Sequence, residues 1–178
     1  MRRPILALVL LATLALAAAP VQAKVMTETA SAGGVAATLS YDKTGDFKFK
    51  DLRLKIVRQG ATLFDDRITD PGTTLVQPAG AGEGGALKVR DLDADGEPEV
   101  VVDLFTGGAH CCLDSLVYRF RAANGTYASL EHNWGNPGYR LVDLGRDGVP
   151  EFDSADDRFT DQFGPFAASW PPERILRL

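Results

Sequence analysis

The stretch Asp91-Leu-Asp-Ala-Asp-Gly-Glu-Pro-Glu99 and its partial copy, Asp143-Leu-Gly-Arg-Asp-Gly-Val-Pro-Glu151, determine how the rest of this sequence is interpreted. Six positions are identical between the two stretches, and every matching pair is separated by 52 residues. A fixed offset shared by this many residues in so short a window indicates a repeated structural unit. We therefore predict two repeat units offset by 52 residues.

The segments around both copies have the periodicity of β-strands. Apolar residues alternate from Val35 to Tyr41 and from Leu116 to Phe120, which places them on one face of an extended chain. Asn124-Gly125 follows the second run, and Asn-Gly between alternating segments is a strong hairpin signal. Further strands are predicted at 47–56 with a bulge near Lys50-Asp51, and at 63–68, 87–89, 100–105, 127–130, 139–144 and 175–178. A helical turn is considered only within 153–166.

The number of predicted strands limits the architecture. Four strands lie between the two copies, which is the size of one β-propeller blade, but a closed propeller needs at least ~4 blades and this chain has room for about three. We expect an all-β fold, either an open propeller-like stack of antiparallel sheets or a β-sandwich. Residues 35–90 would form a divergent amino-terminal unit, and residues 88–157 the calcium-loop repeat region.

The first residues have the pattern of an export signal. Arg2 and Arg3 precede an uncharged run from Ile5 to Ala19, and the small residue Ala23 ends a suitable cleavage site. The run is shorter than the ~20 residues of a membrane-spanning helix, and no second run of this kind follows. We therefore predict a signal peptide at 1–23, no membrane span, and a single secreted or periplasmic β domain at 24–178.

The charge balance restricts the possible partners. The chain has 24 acidic and 19 basic residues, a net charge of −5, and no basic stripe interleaved with aromatic residues. This composition argues against nucleic acid as a partner. The expected partner is an unknown extracellular protein or a carbohydrate, for which Trp134 is a stacking candidate. An oligomer is a further possibility, because open sheets leave edges that another chain can cover.

The first acidic stretch has the composition of a calcium loop. Ca²⁺ prefers six to eight oxygen ligands at ~2.4 Å, mainly carboxylates and carbonyls. Gly96 permits a sharp bend after three alternating aspartates, and crowded carboxylates repel one another unless a cation is present. We predict Ca²⁺ ligands at Asp91, Asp93, Asp95, the backbone carbonyl of Glu97, and Glu99. The alternative is that these Asp and Gly residues only form turns.

The second acidic stretch is a weaker candidate. Gly145 replaces the third-position acid, and Arg146 adds a positive charge. The remaining candidate ligands are Asp143, Asp147 and Glu151. A metal site and simple turn chemistry are equal alternatives here, and the loop could be empty.

The first loop and the strand after it resemble the FG-GAP and VCBS-type calcium repeats of integrin α-chains and many bacterial secreted proteins. In those repeats Asp-x-Asp-x-Asp-Gly-x-x-Asp leads into a β-strand; Asp91, Asp93 and Asp95 match, while Glu99 replaces the last aspartate. The resemblance covers 88–157. It implies a propeller-like all-β architecture, calcium in the loop, and a role in adhesion, binding or structure rather than catalysis.

The segment Thr106-Gly-Gly-Ala-His-Cys-Cys112 holds both cysteines of the chain. In an oxidising compartment Cys111 and Cys112 form either a vicinal disulfide or two free thiols. The functional hypotheses are a redox pair, a Cys-His nucleophile without an orienting third group, and a soft-metal site of His110, Cys111, Cys112 and His132. The structural alternative is a tight turn with buried cysteines. A redox or metal-dependent enzyme centred on this segment is therefore the alternative function.

Overall fold

The computed structural model describes residues 24–46, 48–68, 77–79, 84–109 and 111–178. The predicted signal peptide and the predicted Pro71-Gly72 turn lie outside these residues. The described strands are β1 (Lys24–Ala32), β2 (Val35–Gly45), β3 (Lys48–Arg58), β4 (Ala61–Arg67), β5 (Gln77–Pro78), β6 (Leu87–Arg90), β7 (Glu99–Gly108), β8 (Cys111–Arg121), β9 (Thr126–Gly135), β10 (Tyr139–Val142), β11 (Glu151–Ala155) and β12 (Glu173–Leu176). Short 3-10 turns occupy Asp157–Phe159 and Phe166–Ala168.

Strands β1 to β4 form an antiparallel meander. The alternating residues from Val35 to Tyr41 are buried on one face of β2, as their period of two predicts. The bulge predicted near Lys50-Asp51 is confirmed, because the β2–β3 register shifts there and Asp51 has a φ of 53°. The apolar residues fall on odd-numbered positions up to Phe49 and on even-numbered positions from Leu52. The bulge compensates for this change and keeps Leu52 on the buried face.

The second sheet lies in the middle of the molecule. Strands β5 and β6 pair with one edge of β7, and β8 and β9 follow on the other side. The valines of β7 are fully buried because both faces of this sheet are covered: Val100 and Val102 join the core under the first sheet, and Val101 joins a second core. The predicted Asn124-Gly125 turn is confirmed by a hydrogen bond from its glycine amide to the carbonyl of Arg121.

A third antiparallel sheet, β10-β11-β12, covers the second core through Tyr139 and Phe152. Three stacked antiparallel sheets confirm the predicted all-β class. Where a helical turn was considered, β11 extends to Ala155 and a 3-10 turn follows at Asp157–Phe159. In the part of the chain described, no helix has the length and hydropathy needed to cross a membrane.

Candidate metal centre in the acidic loop

The first acidic stretch connects β6 to β7 within an antiparallel hairpin. Its carboxylates accept hydrogen bonds from the loop's own amides. Asp91 accepts from the amide of Gly96 at 2.9 Å, Asp95 from that of Glu97 at 2.8 Å, and Glu99 from that of Leu92 at 2.9 Å. These bonds curl the chain so that its first and last acids approach each other.

Two residues of the curl have left-handed backbone angles. Gly96 has a φ of 87°, which glycine adopts without steric cost, as its place in the sequence predicts. Ala94 has a φ of 59°, which an alanine adopts at some cost in strain. The loop therefore keeps its curled form because the carboxylate hydrogen bonds outweigh this local cost.

Three of the predicted ligands come together. One carboxylate oxygen each from Asp91, Asp93 and Glu99 lies within 4.8 Å of the others, and no second group of this kind occurs among the residues described. Oδ1 of Asp91 is buried and has no hydrogen-bond partner. A buried carboxylate oxygen without a partner is costly, so this atom is suited to a cation.

The side chains of Asp95 and Glu97 make other contacts. Asp95 uses its carboxylate to cap the amide of Glu97. The carboxylate of Glu97 forms a two-point ion pair with Arg58 of β3, at 2.8 and 2.7 Å. The prediction assigned only the backbone carbonyl of Glu97 to the metal, so this ion pair does not conflict with it.

The site also contains a cation that the sequence pattern does not predict, Arg119 of β8. Its Nε donates to Oε1 of Glu99 at 3.2 Å, and its Nη2 contacts Asp93. Alternation along β8 predicts that Arg119 lies on the face opposite Tyr118. Only the register between β8 and β7 brings its side chain to Glu99 at the end of the acidic loop. Arg119 compensates two of the carboxylates, and it would compete with a metal ion for them.

Glu99 is the most deeply buried acid of the group, since only 2% of this residue is exposed. Burial raises the pKa of its carboxyl, and the nearby charges of Asp93 and Asp95 raise it further. The amide of Leu92 and the guanidinium of Arg119 act in the opposite direction. Ionised Glu99 thus depends on a neighbouring positive charge.

The second acidic stretch has nearly the same geometry and connects β10 to β11. Glu151 accepts from the amide of Leu144 at 2.9 Å, and Asp143 accepts from that of Gly148 at 3.0 Å. Gly148 has a φ of 87°, the same as Gly96. The offset of 52 residues therefore relates two loops of equivalent shape in equivalent hairpins.

The two loops differ in how their acids are compensated. Arg177 donates to Asp147 at 2.9 Å and to Glu151 through Nε at 2.8 Å, and its hydrogen bonds lower the pKa of both carboxyls. Asp143, Asp147 and Glu151 do not form a group comparable to that of the first loop within the described residues. The guanidinium of Arg177 thus occupies the position beside these acids that a metal ion would take.

The first sheet braces the first loop. Besides the ion pair with Glu97, the guanidinium of Arg58 lies 4.2 Å from the ring centre of Phe120. Gly33, in the turn between β1 and β2, lies so close to Pro98 that a Cβ atom there would stand 2.7 Å from the proline Cγ. The acidic loop is therefore in direct contact with the amino-terminal sheet.

The cysteine segment is partly described. Cys111 and Cys112 form a vicinal disulfide at the start of β8, and the amide of Cys112 donates to Oγ1 of Thr106 at 2.8 Å. His110 lies outside the described residues. A disulfide offers no thiolate, so the nucleophile and soft-metal hypotheses both require its reduction, whereas for a redox pair it is the oxidised state.

His132 packs against Trp134 with ring centres 4.1 Å apart. Its Nε2 is buried without a hydrogen-bond partner, and burial, followed by the charge of Arg174, lowers its pKa. Trp134 itself is only 5% exposed and belongs to the second core. This tryptophan therefore presents no open ring face on which a sugar could stack.

A buried polar network that sequence analysis did not identify links the second and third sheets. The carboxylate of Asp103 is fully buried, contacts Nζ of Lys88, and accepts hydrogen bonds from Ser115 and from Tyr139 at 3.0 Å. Trp134 donates to Oγ of Ser115 at 2.8 Å. The signal in the sequence is Asp103, an acid in the interior of the valine-rich β7. Its partners Lys88, Ser115 and Tyr139 come from three other strands.

Two known proteins are similar in sequence to this chain. A probable thylakoid lumen protein of Synechocystis is 32% identical over 94 residues, which are 52% of this chain and 28% of the relative. An uncharacterised protein of Sinorhizobium fredii is 28% identical over 149 residues, 83% of this chain and 22% of the relative. The chain thus spans less than a third of either relative. No protein-family profile and no solved structure matches it.

Proposed function

We propose that this chain is an exported calcium-binding β-module, in which Ca²⁺ binds the Asp91–Glu99 loop and serves a binding, adhesion or structural role. The observation that carries the proposal is the buried, unpartnered Oδ1 of Asp91 beside the carboxylates of Asp93 and Glu99. These three carboxylates lie within 4.8 Å of one another, and a cation among them would satisfy the unpartnered oxygen of Asp91.

The donor chemistry favours a hard cation. Every candidate donor is oxygen, from carboxylates of the loop and the backbone carbonyl assigned to Glu97, with water completing the shell. Ca²⁺ accepts such irregular sets of oxygens, whereas Mg²⁺ requires near-octahedral geometry and gives up its water reluctantly. Calcium is therefore the ion we propose.

Calcium binding in this loop involves Arg119. Its guanidinium contacts the carboxylates of Asp93 and Glu99. A divalent ion supplies two positive charges to the same carboxylates, so we expect Arg119 to withdraw towards solvent when calcium binds. Its side chain is 31% exposed, which gives it a route outward.

The position of the loop suggests what the ion would do. Glu97 and Pro98 join the loop to the first sheet, and Glu99 begins the central strand β7. An ion in the loop would therefore fix the relation between two sheets rather than a surface turn alone. Such rigidity suits a binding or structural module, as the resemblance to calcium repeats also implies.

Export is supported by two observations of different kinds. The first residues have the pattern of a signal peptide, and a relative is named as a probable thylakoid lumen protein. A vicinal disulfide is also compatible with an oxidising compartment. The partner expected for such a module remains an extracellular protein or a carbohydrate.

The test compares the two loops of the same protein. Thermal unfolding of the purified, metal-stripped protein is measured with Ca²⁺ or Mg²⁺ added at matched ionic strength. A ligand at 100 times its dissociation constant stabilises the native state by ~2.7 kcal/mol, so we expect calcium to raise the Tm by several degrees. Asp93→Asn should abolish this rise, whereas Asp143→Asn, in the loop compensated by Arg177, should preserve it.

Calorimetric titration with Ca²⁺ checks the stoichiometry. We expect one ion per chain and none in Asp93→Asn. The absence of heat and of a Tm change with the parent protein, or equal binding by Asp93→Asn, would contradict calcium binding in this loop.

A further inference from the structure

Two edge strands face a common cleft on the side of the molecule away from the β8–β9 hairpin. Among the residues described, β6 pairs only with β7, and β10 pairs only with β11. Both strands line a cleft of about 750 Å³. An unpaired strand edge presents backbone amides and carbonyls that another extended chain can bind.

The charged residues that line this cleft are all basic. They are Lys88 and Arg90 of β6 and Arg140 of β10, and no carboxylate of the described chain lines the cleft with them. Lys88 is paired with Asp103, and Arg140 contacts Asp153 while its side chain remains 73% exposed. Arg90 is exposed and has no ion pair within the described residues. Arg90 thus gives the cleft an uncompensated positive charge, and the exposed side chain of Arg140 adds a second basic group.

The apolar residues of both strands face the protein cores: Leu87 and Val89 pack in the core under the first sheet, and Leu141 packs against the second core. Leu87 and Val89 alternate with the basic residues along β6, and Leu141 follows Arg140 on β10. A partner in extended conformation has the same alternation, with successive side chains on opposite faces. The basic side chains of the cleft can therefore contact acidic residues at alternate positions of an extended peptide.

We propose that this cleft binds an extended acidic peptide segment of a partner protein, which adds a strand to the outer edge of β10. Its backbone would pair with Tyr139–Val142, and its carboxylates would contact Arg90 and Arg140. The four residues of β10 set the length of the recognised segment at about four to six residues. This proposal does not depend on calcium binding, since no predicted calcium ligand lines the cleft.

Strand addition accounts for the site better than other ligands do. A carbohydrate or a nucleic acid has no regular row of amides and carbonyls to pair with a strand edge, and the cleft has no aligned aromatic platform. Charge complementarity selects the acidic sequence, and the strand edge selects the extended backbone. A small polycarboxylate would match the positive charges of the cleft but has no extended backbone to pair with the strand edge.

The experiment uses three fluorescein-labelled hexapeptides and fluorescence anisotropy. The first is Val-Glu-Val-Asp-Val-Glu, the second has lysine at each acidic position, and the third carries N-methyl groups on alternate amides of the acidic sequence. We expect only the first to bind the protein. Competition with citrate distinguishes a general carboxylate site, because citrate should displace the peptide poorly.

Charge-reversing variants locate the site. Arg90→Glu and Arg140→Glu should each weaken peptide binding about tenfold, which corresponds to the loss of ~1.4 kcal/mol. Arg121→Glu is the matched control, because Arg121 is exposed at the end of β8 and has no ion pair among the described residues. It should change binding less than about twofold.

The proposal would be overturned if the acidic peptide did not bind, if the lysine peptide or the N-methylated peptide bound equally well, or if Arg121→Glu caused an equal loss of binding. Circular dichroism of each variant checks that the β fold is retained. Increased protection of the β10 amides from hydrogen exchange in the presence of the peptide would support strand addition directly, and unchanged protection would contradict it.

Discussion

Nε of Arg119 lies 3.2 Å from Oε1 of Glu99, so a basic residue of β8 compensates the buried acid that ends the first acidic loop. Arg177 has the same relation to Glu151 in the second loop, at 2.8 Å. Each acidic loop is therefore compensated by an arginine that lies later in the chain, Arg119 in β8 for the first loop and Arg177 after β12 for the second. In the first loop, however, Asp91 retains a buried oxygen without a partner.

The first prediction concerns Arg119→Gln. Without the guanidinium, Glu99 is a buried carboxylate with no positive charge beside it, and we expect the calcium-free protein to lose about 1–2 kcal/mol of stability. Calcium should restore most of this loss, because the ion supplies the missing charge. Urea unfolding with EGTA and with calcium measures both values. An equal loss under the two conditions would contradict replacement of Arg119 by the ion, and Arg121→Gln is the control.

The second prediction concerns Arg177→Gln. This substitution leaves Asp147 and Glu151 without their common partner, so we expect lower stability and a second acidic loop that is available to a cation. Calorimetric titration should then detect a second, weaker calcium site that the parent protein lacks. If the variant binds no additional ion, the difference between the loops lies in the missing acid at Gly145 rather than in Arg177.

The third prediction compares two turn glycines. Gly33 and Gly60 both have positive φ, of 54° and 83°, but only at Gly33 would a Cβ atom meet another segment, namely Pro98. Gly60→Ala should cost about 1–2 kcal/mol through backbone strain alone. Gly33→Ala should cost more and also weaken calcium binding, because it displaces the acidic loop. Chemical unfolding and calcium titration of both variants test this, and equal calcium affinity would contradict the coupling.

The fourth prediction concerns the buried network of Asp103. Asp103→Ala leaves Lys88 and Tyr139 without their buried partner, and removal of one member of such a group costs about 3–5 kcal/mol. Asp46→Ala, at an exposed position, should change stability by no more than about 0.5 kcal/mol. Urea unfolding measures both variants. A small effect at Asp103 would show that the network does not hold the second and third sheets together.

The fifth prediction concerns pH. Hydrogen bonding to Arg158 lowers the pKa of Asp156 from 3.8 to about 2. Because the folded pKa lies below the unfolded one, the stabilising contribution is fully present above pH 3.8 and is lost as the pH falls through about 2. Asp156→Asn should therefore lose stability relative to the parent at neutral pH, and the difference should shrink over this acidic range. Unfolding curves across that range measure the difference, and a constant difference would contradict it.

The positions of most strands follow from residue periodicity. Val35 to Tyr41 alternate strictly, and the change of parity after Phe49 predicted the bulge that Asp51 forms. Strand β1 was missed, because its inward row includes Glu28 beside Met26 and Ala30 and so lacks an apolar alternation. Glu28 is accommodated there by hydrogen bonds from Tyr41 and from the amide of Ala86, which are distant in sequence.

The arginines of the two loops show why part of the site was not predictable. The acidic stretches repeat at an offset of 52 residues, but Arg119 and Arg177 are 58 residues apart. An alignment at fixed offset therefore does not pair them. Strand register alone brings each arginine to its acid.

The sequence by itself determined the all-β class and the curled form of both acidic loops, because those depend on alternation and on hydrogen bonds within nine residues. Only the tertiary structure decided which acids have a compensating arginine and which oxygen of Asp91 is left without a partner. It also placed the β6 and β10 edges on one basic cleft. Local contacts are encoded in neighbouring residues, whereas these relations arise from sheets that pack across long stretches of chain.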